Sequence, residues 1–281
     1  MIDIIDKILW LLLSAYSFVT LSFPLLNIST SVYAILVVSI GFVSAMIHGG
    51  RRYGMKSMLV FLGVCMLVSN ILENLSIITG FPFGKYNYTD ILGLKLFAVP
   101  LVIGPAYFSV GYLSFVIGNI LLDRVDGRLD RFHLVALPLV SSFIMVEWDL
   151  VMDPSSSTIQ KLWIWHGGGG YFGVPLSNFL GWFLTVYIFF QLFTLYIYKS
   201  KIKVKDNLSK SYWYQGTLFY LTIAAGFVVN FLTSRGGNIT DNRGVVWNVR
   251  DIRESAVVVA IYTMVFVSVL ALLKIKSWEK N

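Results

Sequence analysis

Residues 255–273 read Ser-Ala-Val-Val-Val-Ala-Ile-Tyr-Thr-Met-Val-Phe-Val-Ser-Val-Leu-Ala-Leu-Leu, bounded by Glu254 and Lys274 and uncharged throughout. A helix needs roughly 20 mainly apolar residues to cross a bilayer, so this run reads as a span. Seven more stretches qualify, at about 8–26, 32–48, 58–78, 97–122, 132–152, 174–198 and 212–234. The second is short and Pro100 and Pro105 break the fourth, so seven spans is the nearest alternative to eight. No internal repeat, low-complexity tract or long linker divides the chain, which reads as one integral membrane helical domain over residues 1–281. The expected fold class is all-α, a polytopic transmembrane helix bundle.

Bulk composition agrees. Of 281 residues, 57% are hydrophobic and 13% charged, with a mean hydropathy of +0.74. A soluble domain carries about 25% charged residues, because a water-facing surface needs them. Soluble, disordered, fibrous and disulfide-stapled classes are excluded. The net charge of +7 points to topology and anionic lipid headgroups rather than nucleic acid. A single cysteine, Cys65, rules out a disulfide within the chain. His48, His133 and His166 are scattered without metal-ligand spacing, so no metal is expected. The first apolar run follows the acidic stretch Met1–Lys7 with no small-residue cleavage site, and reads as a retained helix rather than a signal peptide.

Fifteen of the 22 basic residues fall on one alternating set of segments, from Lys7, through Arg51, Arg52 and Lys56, then Arg124, Arg128 and Arg131, then the lysines of 199–211, to Lys274, Lys276 and Lys280. The other set holds Lys85, Lys95, Lys161, Arg235, Arg243, Arg250 and Arg253, so no basic residue need sit deep in a span. Positive charge accumulates on the cytoplasmic side, which predicts a multi-pass cell-membrane protein with both termini cytoplasmic. The inner connections (49–57, 123–131, 199–211) are short and charged. Three outer ones (79–96, 153–173, 235–254) are long and rich in glycine, asparagine and aromatics, and should carry the chemistry.

A carboxylate at the bilayer centre costs roughly 2.5–3.5 kcal/mol, so acids in spans usually face a cavity or a partner. Asn70, Glu73 and Asn74 share one face of the third span at i, i+3 and i+4. Asp149 and Asp153 pair at i, i+4 in the last turns of the fifth, while Glu147 points about 200° away from Asp149. Acids in a last turn can simply reach headgroup water, and Glu73 between asparagines can belong to a network joining helices. Convergence with unusual loops favours function. One loop reads Thr79-Gly80-Phe81-Pro82-Phe83-Gly84-Lys85-Tyr86-Asn87-Tyr88; the other carries Asp153-Pro154, Trp163, Trp165, Gly167 to Gly170 and Tyr171, with Asn178 and Trp182 on the next span. The third holds Arg235, Trp247, Asn248, Arg250 and Arg253, with Asp241, Asp251 and Glu254 as available partners. The glycine run is a weak phosphate-loop match, lacking a preceding strand and a following Gly-Lys-Ser/Thr. Part of the interfacial tryptophan and tyrosine is an ordinary aromatic belt. An apolar aromatic cavity with acids at its wet end suits proton-initiated chemistry on an isoprenoid double bond: an acid in apolar surroundings can hold its proton, and aromatic faces stabilise cations.

At these loops the chain resembles the carotenoid biosynthesis membrane family that contains carotenoid 1,2-hydratases. The resemblance rests on Glu73, the run Thr79–Tyr88, Leu92-Gly93 and Val99-Pro100, and on Asp149-x3-Asp153-Pro154, Trp163-Ile164-Trp165, Gly170–Pro175, Asn178-Phe179 and Gly181-Trp182, over roughly residues 66–190. Tyr107 stands where tryptophan is usual and Ser76 where glycine is expected. The resemblance implies cofactor-independent addition of water to the terminal ψ-end double bond of an acyclic carotenoid, of the bisanhydrobacterioruberin or the lycopene and γ-carotene type. Asp149 or Asp153 is then the expected general acid, with Glu73 and Asn74 orienting water. Asn70, Phe83, Tyr86, Tyr88, Trp163, Trp165, Tyr171 and Asn178 are the expected substrate-binding residues, the two tyrosines at 86 and 88 and the two tryptophans forming a cation-stabilising wall. The expected partners are the lipid substrate, membrane lipids and other carotenoid-pathway enzymes. Isomerisation or cyclisation of the same cation is the second enzymatic reading. A prenyl transferase would need aspartate-rich motifs for magnesium and diphosphate, which the chain lacks. A proton-coupled small-molecule transporter is the alternative from another class.

Overall fold

Among the described residues, 3–26 and 28–278 of a computed structural model, the helices run α1 (Ile4–Ser22), α2 (Thr30–Tyr53), α3 (Met55–Thr79), α4 (Ile103–Leu121), α5 (His133–Asp153), α6 (Leu176–Lys199), α7 (Lys210–Leu232), α8 (Val249–Ala260) and α9 (Phe266–Ser277). A π-helical turn, Pro154–Ile159, prolongs α5, and another, Ile261–Val265, joins α8 to α9 in one span. Eight helical segments are thus long and apolar enough to cross a membrane. The chain is an all-α polytopic bundle and a multi-pass membrane protein. Met1, Ile2 and Lys280 lie outside the described residues.

Helix starts follow capping chemistry. Asp3, Ser29, Ser209 and Asn248 each accept a first-turn N–H through a side-chain oxygen, opening α1, α2, α7 and α8. Leu11, Phe18, Leu67, Phe143, Leu180 and Phe266 project from the bundle, an apolar exterior that only lipid can cover. Inside, Phe61 stacks on Phe193 at 4.4 Å, and α4 is buried all round from Tyr107 to Ile120. A helix buried on every side has no polar face, so its sequence shows no amphipathic period.

Several sequence expectations need correction. The second span is not short: α2 runs on through Arg51 and Arg52, and the expected connection 49–57 shrinks to Gly54, whose φ of 81° turns the chain between two long helices. Arg52 is therefore deep in protein, 2% exposed. Its guanidinium donates to the carbonyls of Arg124 (2.6 Å), Val125 (2.9 Å) and Lys205 (3.4 Å) and lies over the Trp213 ring at 4.6 Å. A cation so surrounded by acceptors no longer needs water. The fourth span is not broken, because Pro100 precedes α4 and Pro105 sits in its first turn, where no intrahelical N–H bond is lost. The fifth continues to Ile159, so Asp149 and Asp153 are well inside a helical segment. Residues 249–254, expected in a loop, open α8.

One end of the bundle also carries short antiparallel pairs. Strand β1 (Tyr86–Tyr88) pairs with β4 (Trp163–Trp165), β2 (Lys95–Leu96) with β3 (Val99–Pro100), and β5 (Asn238–Thr240) with β6 (Val246–Asn248). The β1–β4 register sets Tyr86 opposite Trp165 and Tyr88 opposite Trp163. Period-two alternation then puts all four rings on one face, toward the helices.

Candidate active site

Glu73, on α3, is 3% exposed and fully engaged. Its Oε2 accepts from the Tyr86 hydroxyl and from the Tyr88 hydroxyl at 3.0 Å, and its Oε1 accepts from Tyr107 at 2.8 Å. The β1 strand supplies two of these phenols and α4 the third. Burial, with Glu73 beside it, pushes the Tyr88 hydroxyl well above its usual range, so it stays a donor.

The second acidic group is built differently. Asn178, near the start of α6, donates through Nδ2 to Asp149 Oδ2 at 2.8 Å and to Asp153 Oδ2 at 2.6 Å. Trp163 Nε1 donates to Asp153 Oδ1 at 2.9 Å. Asp149 Oδ1 is buried with no hydrogen-bond partner among the described residues. Both aspartates are inaccessible to solvent, at 0% and 1%, so neither reaches headgroup water. Glu147 faces elsewhere, accepting from Tyr220 at 3.4 Å.

Between these groups lies a cavity of about 180 Å³, walled by α2 to α6 and roofed by β1 and β4. Glu73 and Asp153 face it from different walls, and Asn178 lies between Asp153 and Asp149, which sits one helical turn behind. Phe83, Tyr86, Tyr88, Trp163, Trp165 and Asn178 line it. Tyr86 and Trp165 lie 4.7 Å apart between ring centroids, Tyr88 and Trp163 5.8 Å. The buried Trp165 Nε1 lies toward Asp153 and makes no well-formed hydrogen bond among the described residues.

Besides Asp149, three expected residues are outside the lining: Asn70, Asn74 and Tyr171. Asn74 donates to the Asn70 carbonyl at 2.8 Å and side-chain oxygen at 3.2 Å and accepts from the Ala98 N–H at 3.0 Å, so Asn74, steadied by Asn70, ties the β2–β3 hairpin to α3. Tyr171 donates to the Leu150 carbonyl at 3.2 Å behind the aspartate pair. Tyr107 and Trp182 are among the lining residues not expected as site residues. Tyr107 stacks on Trp182 at 4.3 Å with 6° between planes, and Trp182 follows Asn178 by one turn. That i, i+4 spacing was a readable signal; the lining from α2, Val37 and Val38, carried none.

Close packing explains the glycines. A Cβ on Gly181 would approach the Pro82 carbonyl to 2.8 Å, so α6 can meet the loop only with glycine there. The loop is clasped by Ser76, whose hydroxyl accepts from Phe83 N–H at 3.0 Å and donates to the Gly84 carbonyl at 2.8 Å, and by Ser177, donating to the Phe83 carbonyl at 2.9 Å. The four-glycine run cradles no anion: Arg243 reaches the Gly169 carbonyl at 2.6 Å and is held by Asp241 at 3.1 Å. Despite some burial, hydrogen bonds from Trp247 and the Arg243 and Val245 N–H groups keep the Asp241 carboxyl below its usual range. Among the described residues, no cluster of three or more His, Cys, Asp or Glu side chains is arranged to hold a metal ion.

A cavity lined by aromatic rings and two buried acids and set in a lipid-facing bundle suits an apolar molecule better than an ionic one. Comparison with known families agrees: residues 30–239 match the carotenoid biosynthesis protein family, which is most of the chain. The chain belongs to that family. No curated protein and no solved structure matches it. Both sequence blocks, within 66–190, fall inside the matched range. This family member therefore works in carotenoid biosynthesis, on lipid substrates in a membrane setting. Its two departures acquire physical content: Tyr107 gives Glu73 a hydroxyl, and Ser76 fastens the loop that roofs the cavity.

Proposed function

We propose that the chain is a cofactor-independent hydro-lyase that adds water across the terminal ψ-end C1–C2 double bond of an acyclic carotenoid, of the bisanhydrobacterioruberin or lycopene type, giving a tertiary alcohol. The observation that carries this reading is the pairing of two unlike acidic groups on one aromatic cavity. Asp149 and Asp153 meet on a single amide nitrogen, and two carboxyls sharing a site hold one proton between them more readily than two negative charges. Asp153, the member that reaches the cavity, delivers this proton to the alkene. General acids of this kind contribute roughly 10²–10⁴-fold in rate.

Protonation leaves a tertiary cation. Glu73, saturated by three phenol donors, is the fixed negative charge that faces it, and the rings of Tyr86, Tyr88, Trp163 and Trp165 add cation–π stabilisation of about 0.5–2 kcal/mol each. Water then forms the C–O bond and returns a proton to the aspartate pair, which restores the acid. Glu73 thus acts as counter-charge rather than as the water-orienting group its sequence position suggested. The basic residues support an orientation in which the acid end faces away from the cytoplasm and both termini lie inside.

Expression in cells that make lycopene, or a longer acyclic carotenoid, tests the reading. Products heavier by one water per reacted end are expected. Products of unchanged mass would assign the chain to isomerisation or cyclisation instead.

A further inference from the structure

Hydration in so apolar a cavity raises the question of where water is held. Most of the polar groups facing the acids are spent on one another: three phenols on Glu73, and Trp163 and Asn178 on the aspartates. A buried water needs two to four polar partners, and this arrangement leaves few.

A second cavity, also of about 180 Å³, lies beside the first between α1, α2, α4, α5, α7 and α8. Tyr33, Val37, Met152, Ser156 and Gln160 line both, so the two are neighbours across a single layer of side chains. Its chemistry is the reverse of the first. Tyr16, Thr20, Tyr33 and Gln160 face it; the Tyr16 and Tyr33 hydroxyls lie near that of Thr20, and the four side chains have no other polar partner among the described residues. Thr20 is 3% exposed and its buried Oγ1 makes no well-formed hydrogen bond among them. Asn230 spends its amide on the Gly226 carbonyl and keeps its own oxygen free, while the half-exposed Arg253 makes one bond, to the Asn230 carbonyl. These residues lie at the same end of the bundle as the acids, since α1 and α7 end there and α8 begins there.

We infer that this second chamber is the water-holding site of the enzyme, a polar store that feeds the acid cavity past Ser156 and Gln160. Unspent hydroxyl and amide groups in a space of this size have room for several waters and partners enough to order them. Trp165 Nε1, beside Asp153 and without a well-formed hydrogen bond among the described residues, donates to a water on the other side. The chamber decides the fate of the cation. With water at hand the cation gains a C–O bond; without it the cation returns a proton to a carboxylate and reverts to an alkene. The inference rests on the hydratase reading.

The test is a variant that dries the chamber without changing its volume, Thr20→Val with Tyr33→Phe and Gln160→Leu, turned over with an acyclic carotenoid in heavy water. Deuterium in recovered alkene counts cations formed; alcohol counts cations captured. The ratio of alcohol to exchanged alkene should fall by about tenfold, the effect of losing one or two hydrogen bonds to the attacking water, while deuterium exchange persists. Thr20→Ser should keep the wild-type ratio. An unchanged ratio in the triple variant overturns the inference, as does a raised KM at constant ratio, which would make the chamber part of the carotenoid site. Should the triple variant fail to fold, the three single variants carry the same ratio test. A wild-type protein that forms no alcohol at all would instead overturn the hydratase reading itself.

Discussion

Two buried polar clusters stand at opposite ends of this bundle, and they are organised on different principles. At one end Arg52 gives hydrogen bonds to three backbone carbonyls and to the Tyr53 hydroxyl at 3.0 Å, and His48 lies 2.5 Å from the Tyr112 hydroxyl and 2.7 Å from the Tyr212 carbonyl. These partners are rigid backbone or packed rings, and the group holds α2, the 122–131 connection and the segment before α7 together. At the other end two carboxyls, Glu73 and Asp153, border a cavity, Asp149 behind it shares a single amide with Asp153, and Asp149 Oδ1 and Trp165 Nε1 have no well-formed hydrogen bond among the described residues. A satisfied network stabilises; one with spare capacity beside open space is equipped to act on something that enters it.

Replacing one member at each end separates these roles most sharply. Asp153→Asn keeps shape and removes the proton, so hydration should drop by about 10³-fold with the protein still inserted and folded. Asp149→Asn and Glu73→Gln should also lose activity, and full activity in all three would remove the site from these residues. Arg52→Met should do the opposite. It strips partly buried carbonyls of their donor and leaves a gap under the Trp213 ring, at a cost of about 2 kcal/mol. Thermal unfolding in detergent should report the loss, while the surviving folded fraction turns over normally.

The fold was legible because lipid imposes a length and a composition on every span, whatever its partners. What misled was context. Pro105 in α4 reads as a break until its place in the first turn is known, and Arg52 reads as an end to α2 until carbonyls from two distant segments surround it. The acids were legible because charge in a span is costly and so conspicuous; Asp149 and Asp153 share a face by spacing alone. Their partners were only half legible. Pairing of β1 with β4 joins residues far apart in the chain, and no local pattern announced it. Asn74 looked like a site residue because it neighbours Glu73 on the helix, yet the Ala98 N–H takes its oxygen outward.

The three phenols on Glu73 allow a finer cut within the acid end. Tyr107→Phe removes the donor to Oε1 and leaves the stack on Trp182, so the cavity keeps its wall and loses one restraint on the counter-charge. A hydrogen bond to a charged acceptor is worth about 1.5–3 kcal/mol, part of which the two remaining phenols recover. Turnover should fall by about tenfold, with KM little changed, since the interaction strengthens only as the cation forms. A rise in KM with turnover intact would instead make Tyr107 a substrate-shaping residue.

The smallest effect is expected at Ser76, the residue that ties the roof loop to α3. Ser76→Gly removes an acceptor from the Phe83 N–H and a donor from the Gly84 carbonyl, and adds a flexible residue to the last turns of the helix. Ser177 still holds the Phe83 carbonyl from α6, and Gly181 still lets the loop backbone sit against that helix. The loop is thus clasped from two sides, and losing one clasp should cost about 1 kcal/mol of stability and a few degrees in Tm. The acids do not move, because neither Glu73 nor the aspartate pair hydrogen-bonds to this loop's backbone. Turnover on the preferred carotenoid should therefore stay near wild type. A changed preference among carotenoids of different length in Ser76→Gly would break that separation, because it would mean that Phe83, carried by the same loop into the cavity wall, sets the depth to which the reacting end can enter.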